Sequence, residues 1–351
     1  MPHNLLIKKL NHYGIRGNLS NWFSSYLSNR SQQTIIENET SEALPNSLGV
    51  PQGSVLGPLL FLIFINDLPN ISKLLFIILF ADDATLTLIG KDITQLIENA
   101  NSELTKFHTW CLANRLSINV SKTFYMIFSK YKITVPLPLL IKSGYTYDVI
   151  NKVKTTKFLG VHLDDNMTFK THLNHLSQKL SRINSLFYQV RDLIPLFVLK
   201  RMYFAHVQSL LSYCNVIWSN TNSTDLNSVT IAQKRIIRTI TKSDILAHTR
   251  PLFMATKILT IEQLRRYFLG IYCFKNQTNF HHLMGQHNYR TRRRHDLRPV
   301  IHRTSFFEKS FLYQAPIIWN EINTINPELR RSASLNKFKR SYKLRLLSTL
   351  Q

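Results

Sequence analysis

The sequence predicts an α+β fold in which a small antiparallel sheet with helices comes first and a mostly helical, basic region comes after it. Three observations carry that expectation. Two β-rich runs, LLFIILF and ATLTLI, flank the turn-forming residues Ala81, Asp82 and Asp83 and read as a hairpin with the acids at its tip. Around it, apolar residues recur three and four positions apart, the spacing of helices with one covered face. After the strand-like segment KFLGVHL, only the helical spacing remains.

Leu5, Leu6 and Leu10, then Leu19, Trp22, Phe23 and Tyr26, predict two short helices separated at Gly14 and Gly17. Ser54 can cap a helix through VLGPLLFLIFIND, with Pro58 near its first turn. Apolar residues lie on every side of that helix, so it is expected to be central. Asp67 and Lys73 interrupt the apolar stretch from Val55 to Ala81, and neither half reaches the ~20 residues of a membrane span. Beyond the hairpin, Ile93, Leu96, Ile97, Ala100, Leu104, Phe107 and Trp110 mark a helix ahead of a strand FYMIF. Later helix faces run through Leu173, Leu176, Leu180, Ile183 and Leu186, through Leu199, Met202, Tyr203 and Val207, and through Ile231, Ile236, Ile237 and Ile240. There is no internal repeat and no long Gly/Ser linker, so domains are expected to abut directly.

Composition narrows the partner class. Over 351 residues, 44 Lys and Arg face 20 Asp and Glu, a formal charge of +24, and such a surface suits nucleic acid or an acidic membrane face. Cys111, Cys214 and Cys273 show no paired spacing, which argues against a disulfide framework or zinc site and fits an intracellular, reducing setting. Lys8 and Lys9 come too early for a secretory leader. Near the C-terminus two basic clusters interleave with Tyr289, Phe306, Phe307 and Phe338. Arg292, Arg293 and Arg294 in the first cluster, and Lys339 and Arg340 in the second, are the candidate phosphate contacts, with the aromatics as stacking surfaces. Cys273 with His281, His282 and His287 fits no familiar zinc pattern.

The chemical signal is the acid pair. Adjacent carboxylates on a tight turn offer hard oxygen ligands of the kind magnesium prefers, and two such ions, roughly 3.5 to 4 Å apart, drive nucleotidyl transfer in enzymes that use them. That arrangement draws carboxylates from at least two chain segments. Taken alone, Asp-Asp in a turn is also an ordinary turn, since Asp bonds its own backbone there.

The surrounding blocks decide what the pair resembles. GVPQGSVLGPLLFLIFINDLP followed by LFADDATL resembles the reverse transcriptases of non-LTR retrotransposons, particularly the jockey and chicken-repeat groups of long interspersed elements. NLLIKKLNHYGIRGNLSNWFSSYLSNRSQ, LSINVSKTFYMIFS, KFLGVHLDDNMTFKTHL, SFLYQAPIIWNEI and SLNKFKRSYKLRLL look like further blocks of that family, in the family's order. The resemblance implies a right-hand polymerase palm over 1–165, a helical thumb over 166–250 and a basic C-terminal region over 251–351. It implies that Asp82 is a metal ligand and Asp83 its supporting neighbour, after Phe80 and Ala81. Pro51, Gln52 and Gly53 match the turn that positions template and nucleotide. Lys122 matches a lysine that assists pyrophosphate departure, and Phe158, Leu159 and Gly160 match the primer grip. Lys122 reads equally well as a solvated strand-edge lysine, and Phe158 and Leu159 as ordinary core.

For function, the resemblance implies an RNA-directed DNA polymerase fragment using Mg2+ or Mn2+, an RNA template, a DNA primer or target and deoxynucleoside triphosphates, with no membrane involved. The family places another metal-binding aspartate a few residues before the segment matching PHNLL, so the sequence is expected to be N-terminally truncated, without that block, the fingers or an endonuclease. A catalytically inactive nucleic-acid-binding remnant therefore stands beside the polymerase, and a helical protein with acidic partners stands behind both.

Overall fold

Residues 3–27 fold as two helices, α1 (His3–His12) and α2 (Asn18–Leu27), separated at Gly14 and Gly17 as the apolar spacing predicts. The computed structural model describes residues 1–129, 131–143, 146–276, 280, 296–302, 304–325, 327–330 and 332–349. It mixes helices with small sheets, an α+β composition, and divides into two compact units, Met1–Val153 and Lys154–Gln351.

In the first unit, Leu6 and Leu10 of α1 and Leu27 of α2 pack against Leu60, Phe64 and Ile65 of α3 (Leu56–Ile65). Ser54 caps α3 much as expected: its Oγ accepts the Gly57 N–H at 3.0 Å and donates to the Pro51 carbonyl at 2.7 Å. The expectation of a central helix fails on one side, because Leu59 and Leu62 are 53% and 46% exposed. A helix apolar all round carries no periodicity to say which face is covered. Lys9 ties three elements together. Its Nζ donates to the Phe64 carbonyl at 2.6 Å, pairs with Asp67 at 2.7 Å, and sits 4.5 Å and 5.1 Å from the Phe64 and Trp110 rings.

The predicted hairpin is present as β1 (Phe76–Phe80) and β2 (Asp83–Thr87), antiparallel, with Phe80 opposite Asp83 and Ile77 opposite Leu86. The long helix α4 (Ile93–Ala113) comes next, capped by the Asp92 carboxylate accepting the Gln95 N–H at 2.8 Å. It buries Ile97, Leu104 and Cys111, and also Glu103, whose carboxylate pairs with Lys106 at 2.7 Å. The expected strand FYMIF shortens to β3 (Phe124–Tyr125). A hairpin of β4 (Leu140–Ser143) and β5 (Thr146–Val149) precedes β6 (Asn151–Lys152), which runs parallel to β3. Leu104, Leu139, Ile141 and Ile150 form a second small core there.

The second unit opens with β7 (Thr155–Phe158) and β8 (Val161–Asp164). KFLGVHL is thus a hairpin, not one strand, because Leu159 and Gly160 adopt φ of +44° and +85° and turn the chain in two residues. Asp164 is buried and accepts N–H bonds from Thr168 at 2.8 Å and Phe169 at 2.7 Å, setting the start of α5 (Lys170–Val190). The α5 face of Leu173, Leu176, Leu180 and Phe187 meets Val229, Ile236 and Ile240 of α6 (Ser223–Ile240) in one core. Helical residues 196–212 include a π-helical stretch, Tyr203–Gln208. The same core continues through α7 (Ile261–Lys275), α8 (Phe311–Ile325) and α9 (Leu335–Ser348), so residues from 166–250 and from 251–351 share it. No described helix is long and apolar enough to cross a membrane.

Candidate functional site

The Asp82–Asp83 tip is built by alternation and a tight turn. Along β1 the half-buried Ile77 and Leu79 alternate with the exposed Phe76, Ile78 and Phe80, as a sheet covered on one face requires. Leu79 packs on the Leu60–Phe64 core and Leu86 on the Leu104–Ile141 core, so the hairpin is anchored at both flanks. Between the paired Phe80 and Asp83, only Ala81 and Asp82 make the turn, and Ala81 takes a φ of +50°. A non-glycine residue in that region costs on the order of 1 to 3 kcal/mol, a strain that tends to collect at functional turns. Asp82 and Asp83 are exposed, and neither carboxylate takes a hydrogen bond or ion pair among the described residues.

The bend Pro51–Gly53 is attached to the same framework. Val50, immediately before it, rests on the Leu60–Phe64 core that also receives Leu79. Gln52 and Gly53 are exposed, and Gly53 has a φ of +79° with nothing within 4 Å of the place a Cβ would occupy. The positive φ favours glycine there, and no described atom crowds its open side. Lys122 is exposed at the end of a short 3-10 turn, Val120–Lys122, and Val120 packs on the core that receives Leu86. The acid pair, the bend and the lysine segment thus rest on two adjoining small cores of the first unit.

The other predicted residues lie elsewhere. Phe158, Leu159 and Gly160 form the tip of the β7–β8 hairpin in the second unit, where the Tyr213 hydroxyl donates to the Leu159 carbonyl. Lys339 and Arg340 sit on α9, half-buried and exposed respectively. Arg292, Arg293 and Arg294, with Tyr289 and the histidines His281, His282 and His287, lie outside the described residues. Phe338 is a correction: it is fully buried, stacked on Phe274 at 4.6 Å and close to Trp319 and Tyr342, so it cannot stack on a base. Burial pushes the Cys273 thiol up to about 12, which removes it as a ready thiolate ligand. Among the described residues no group of three or more His, Cys, Asp or Glu gathers as a metal site.

Sequence reasoning missed two features. Asp164 is a structural carboxylate, recognisable afterwards from its place four and five residues before the backbone donors it satisfies. His162, His172 and His175 cluster, with the His162 ring centroid 6.4 Å and 5.0 Å from the other two. The spacing of His172 and His175 on one helix was the available signal.

Residues 1–163 match the family described as reverse transcriptase (RNA-dependent DNA polymerase). That stretch is similar to reverse transcriptases and covers a little under half of the chain. The matched segment contains the acid-pair hairpin, the Pro51–Gly53 bend, Lys122 and the Leu159–Gly160 turn. Relatives extend the similarity, and they are named as RNA-directed DNA polymerases, some only as probable ones, from transposons or mobile elements. One is the probable RNA-directed DNA polymerase from transposon BS of Drosophila melanogaster, 25% identical over 68% of this chain and 27% of the relative. Another is the RNA-directed DNA polymerase from mobile element jockey of Drosophila melanogaster, 25% identical over 67% of this chain and 26% of the relative. A third, the probable RNA-directed DNA polymerase from transposon X-element of the same fly, is 29% identical over 44% of this chain and 17% of the relative. The chain spans about a quarter of the length of the first two. Reverse transcriptases as a family use divalent metal ions, nucleic-acid templates and deoxynucleotides.

Proposed function

We propose that this chain supplies palm and thumb elements of a non-LTR retrotransposon RNA-directed DNA polymerase, with Asp82 and Asp83 as metal-binding carboxylates. The carrying observation is a pair of exposed, unpartnered carboxylates on a strained two-residue turn, inside the reverse transcriptase segment and flanked by its anchored bend and lysine. On this reading residues 1–165 are palm, 166–250 thumb, and 251–351 a basic region that grips RNA or target DNA. Free carboxylate oxygens suit Mg2+ or Mn2+, and Asp82 with Asp83 would hold such an ion, which when bound lowers the barrier to attack of a primer hydroxyl on a nucleotide phosphate.

The protein's own residues do the rest. Gln52 and the Gly53 backbone line the nucleotide side of the site, where an exposed amide and an unobstructed peptide can meet template and sugar. Lys122 offers a cationic Nζ to the charge that develops on departing pyrophosphate. Leu159 and Gly160, held by Tyr213, position the primer end. Purified chain with a primed RNA template is expected to incorporate deoxynucleotides only with a divalent cation, and Asp82→Ala is expected to reduce the rate at least a hundredfold. RNA retention without incorporation in the unmodified chain would overturn it.

That last outcome corresponds to a second reading, an inactive nucleic-acid-binding remnant. The observation favouring it is that the described residues gather carboxylates from one segment at the hairpin, whereas two ions call for at least two segments.

A further inference from the structure

Away from the carboxylate hairpin, α2 carries an aromatic ladder that the polymerase reading does not use. Trp22 and Tyr26 lie one helical turn apart, with ring centroids 5.5 Å apart and planes 7° from parallel. Phe23 meets Trp22 edge-on at 5.0 Å and 83°. Arg30 lies 4.7 Å over the Tyr26 ring, and its Nε donates to the Tyr26 carbonyl at 2.6 Å. The ladder is fixed from below, because Phe23 and Tyr26 pack on the core of Leu27, Leu60 and Phe64. Its outer member is open: Trp22 is 51% exposed and Leu19, one turn earlier, 62%.

Charge says what such a surface meets. From Met1 to Ile36 the sequence has no Asp or Glu, while it has Lys8, Lys9, Arg16 and Arg30. Arg30 makes no ion pair among the described residues, so its terminal nitrogens are free to reach a phosphate. A flat aromatic ring, held rigidly with an arginine close by and no acid in the segment, matches a base and its phosphate in one unit. Base faces are hidden in a duplex and open in a single strand.

We propose that α2 is a stacking platform for single-stranded nucleic acid, with Trp22 as the base-stacking ring and Arg30 as the phosphate contact. The inference rests on the polymerase reading only in taking nucleic acid as the polyanion, and it needs no metal. Trp218 and Trp319 are fully buried and Trp110 is half-buried, so Trp22 is the tryptophan most open to a bound base. Titration of the full chain with a short oligouridylate, without divalent cation, is expected to quench part of the tryptophan fluorescence. Trp22→Ala is expected to weaken single-strand binding about tenfold and to abolish that quench, with Trp22→Phe restoring most of the affinity. Arg30→Ala is expected to lower the slope of log affinity against log salt by about 0.7. A matched RNA duplex should bind Trp22→Ala and the unmodified chain alike.

Equal loss for single strand and duplex would overturn the proposal, as would unchanged oligouridylate affinity in Trp22→Ala. A change of self-association on Trp22→Ala, with RNA binding intact, would instead identify an interface between copies and would also overturn it. Failure of the platform and failure of the polymerase reading are thus read in separate assays.

Discussion

Gly160 shows how a single residue position shapes the second unit. Its φ is +85°, and a Cβ there would stand 3.3 Å from Cε1 of Tyr213, the side chain whose hydroxyl holds the Leu159 carbonyl. Gly160→Ala is expected to lose about 1 to 2 kcal/mol in urea unfolding, from backbone strain and crowding together. His172 is buried, its Nδ1 lacks a hydrogen-bond partner, and desolvation first, then His162, His175 and Lys179, lower its pKa to about 4. The unfolded chain takes up that proton more readily, near pH 6.5. Stability from the neutral imidazole is therefore complete above pH 6.5 and is lost as pH falls toward 4, by up to about 3 kcal/mol. His172→Phe should flatten that part of the pH–stability curve, and an unchanged slope would refute the assignment. At this scale the sequence was legible at Asp82 and Asp83, because two β-rich runs point to the turn between them. It misled at Phe338: neighbouring lysines and arginines suggested surface, although Phe338, Tyr342 and Leu346 recur every four residues and mark the covered face of α9.

Elements meet through a few buried polar side chains, of which Gln233 is the clearest. From α6 it donates to the Tyr203 hydroxyl at 2.9 Å and to the Leu259 carbonyl at 3.0 Å, and accepts the Ile261 N–H at 2.9 Å. Gln233→Leu would leave buried backbone groups at the start of α7 unpaired, and it is expected to lower unfolding free energy by about 2 to 4 kcal/mol. A loss within about 0.5 kcal/mol, the size of a neutral surface change, would contradict that role. Elements with alternating or helical spacing, the β1–β2 hairpin and helices α1, α2, α4 and α5, were legible in the sequence. Those decided by tertiary contact were not: α3 gave no sign of its open face, and FYMIF had the composition of a strand but a pairing partner for only Phe124 and Tyr125.

For the molecule as a whole, a charge of +24 makes phosphate contact the expected source of affinity. RNA binding should therefore weaken steeply between low and moderate salt, and binding insensitive to salt would point to apolar contact instead. A change of character after KFLGVHL was legible, but not the division at Val153, because no linker marks it, and the helices after residue 166 fuse into one core only through contacts distant in sequence. The family blocks were legible because they keep their order around the acid pair. The most direct test of the central claim is Mn2+ relaxation enhancement read at the backbone amides of residues 79–85, with primed RNA template and deoxynucleotide present. Broadening confined to that hairpin and its neighbours, and abolished by Asp82→Asn, is the predicted result; Mn2+ that broadens other segments and leaves the hairpin sharp would contradict it.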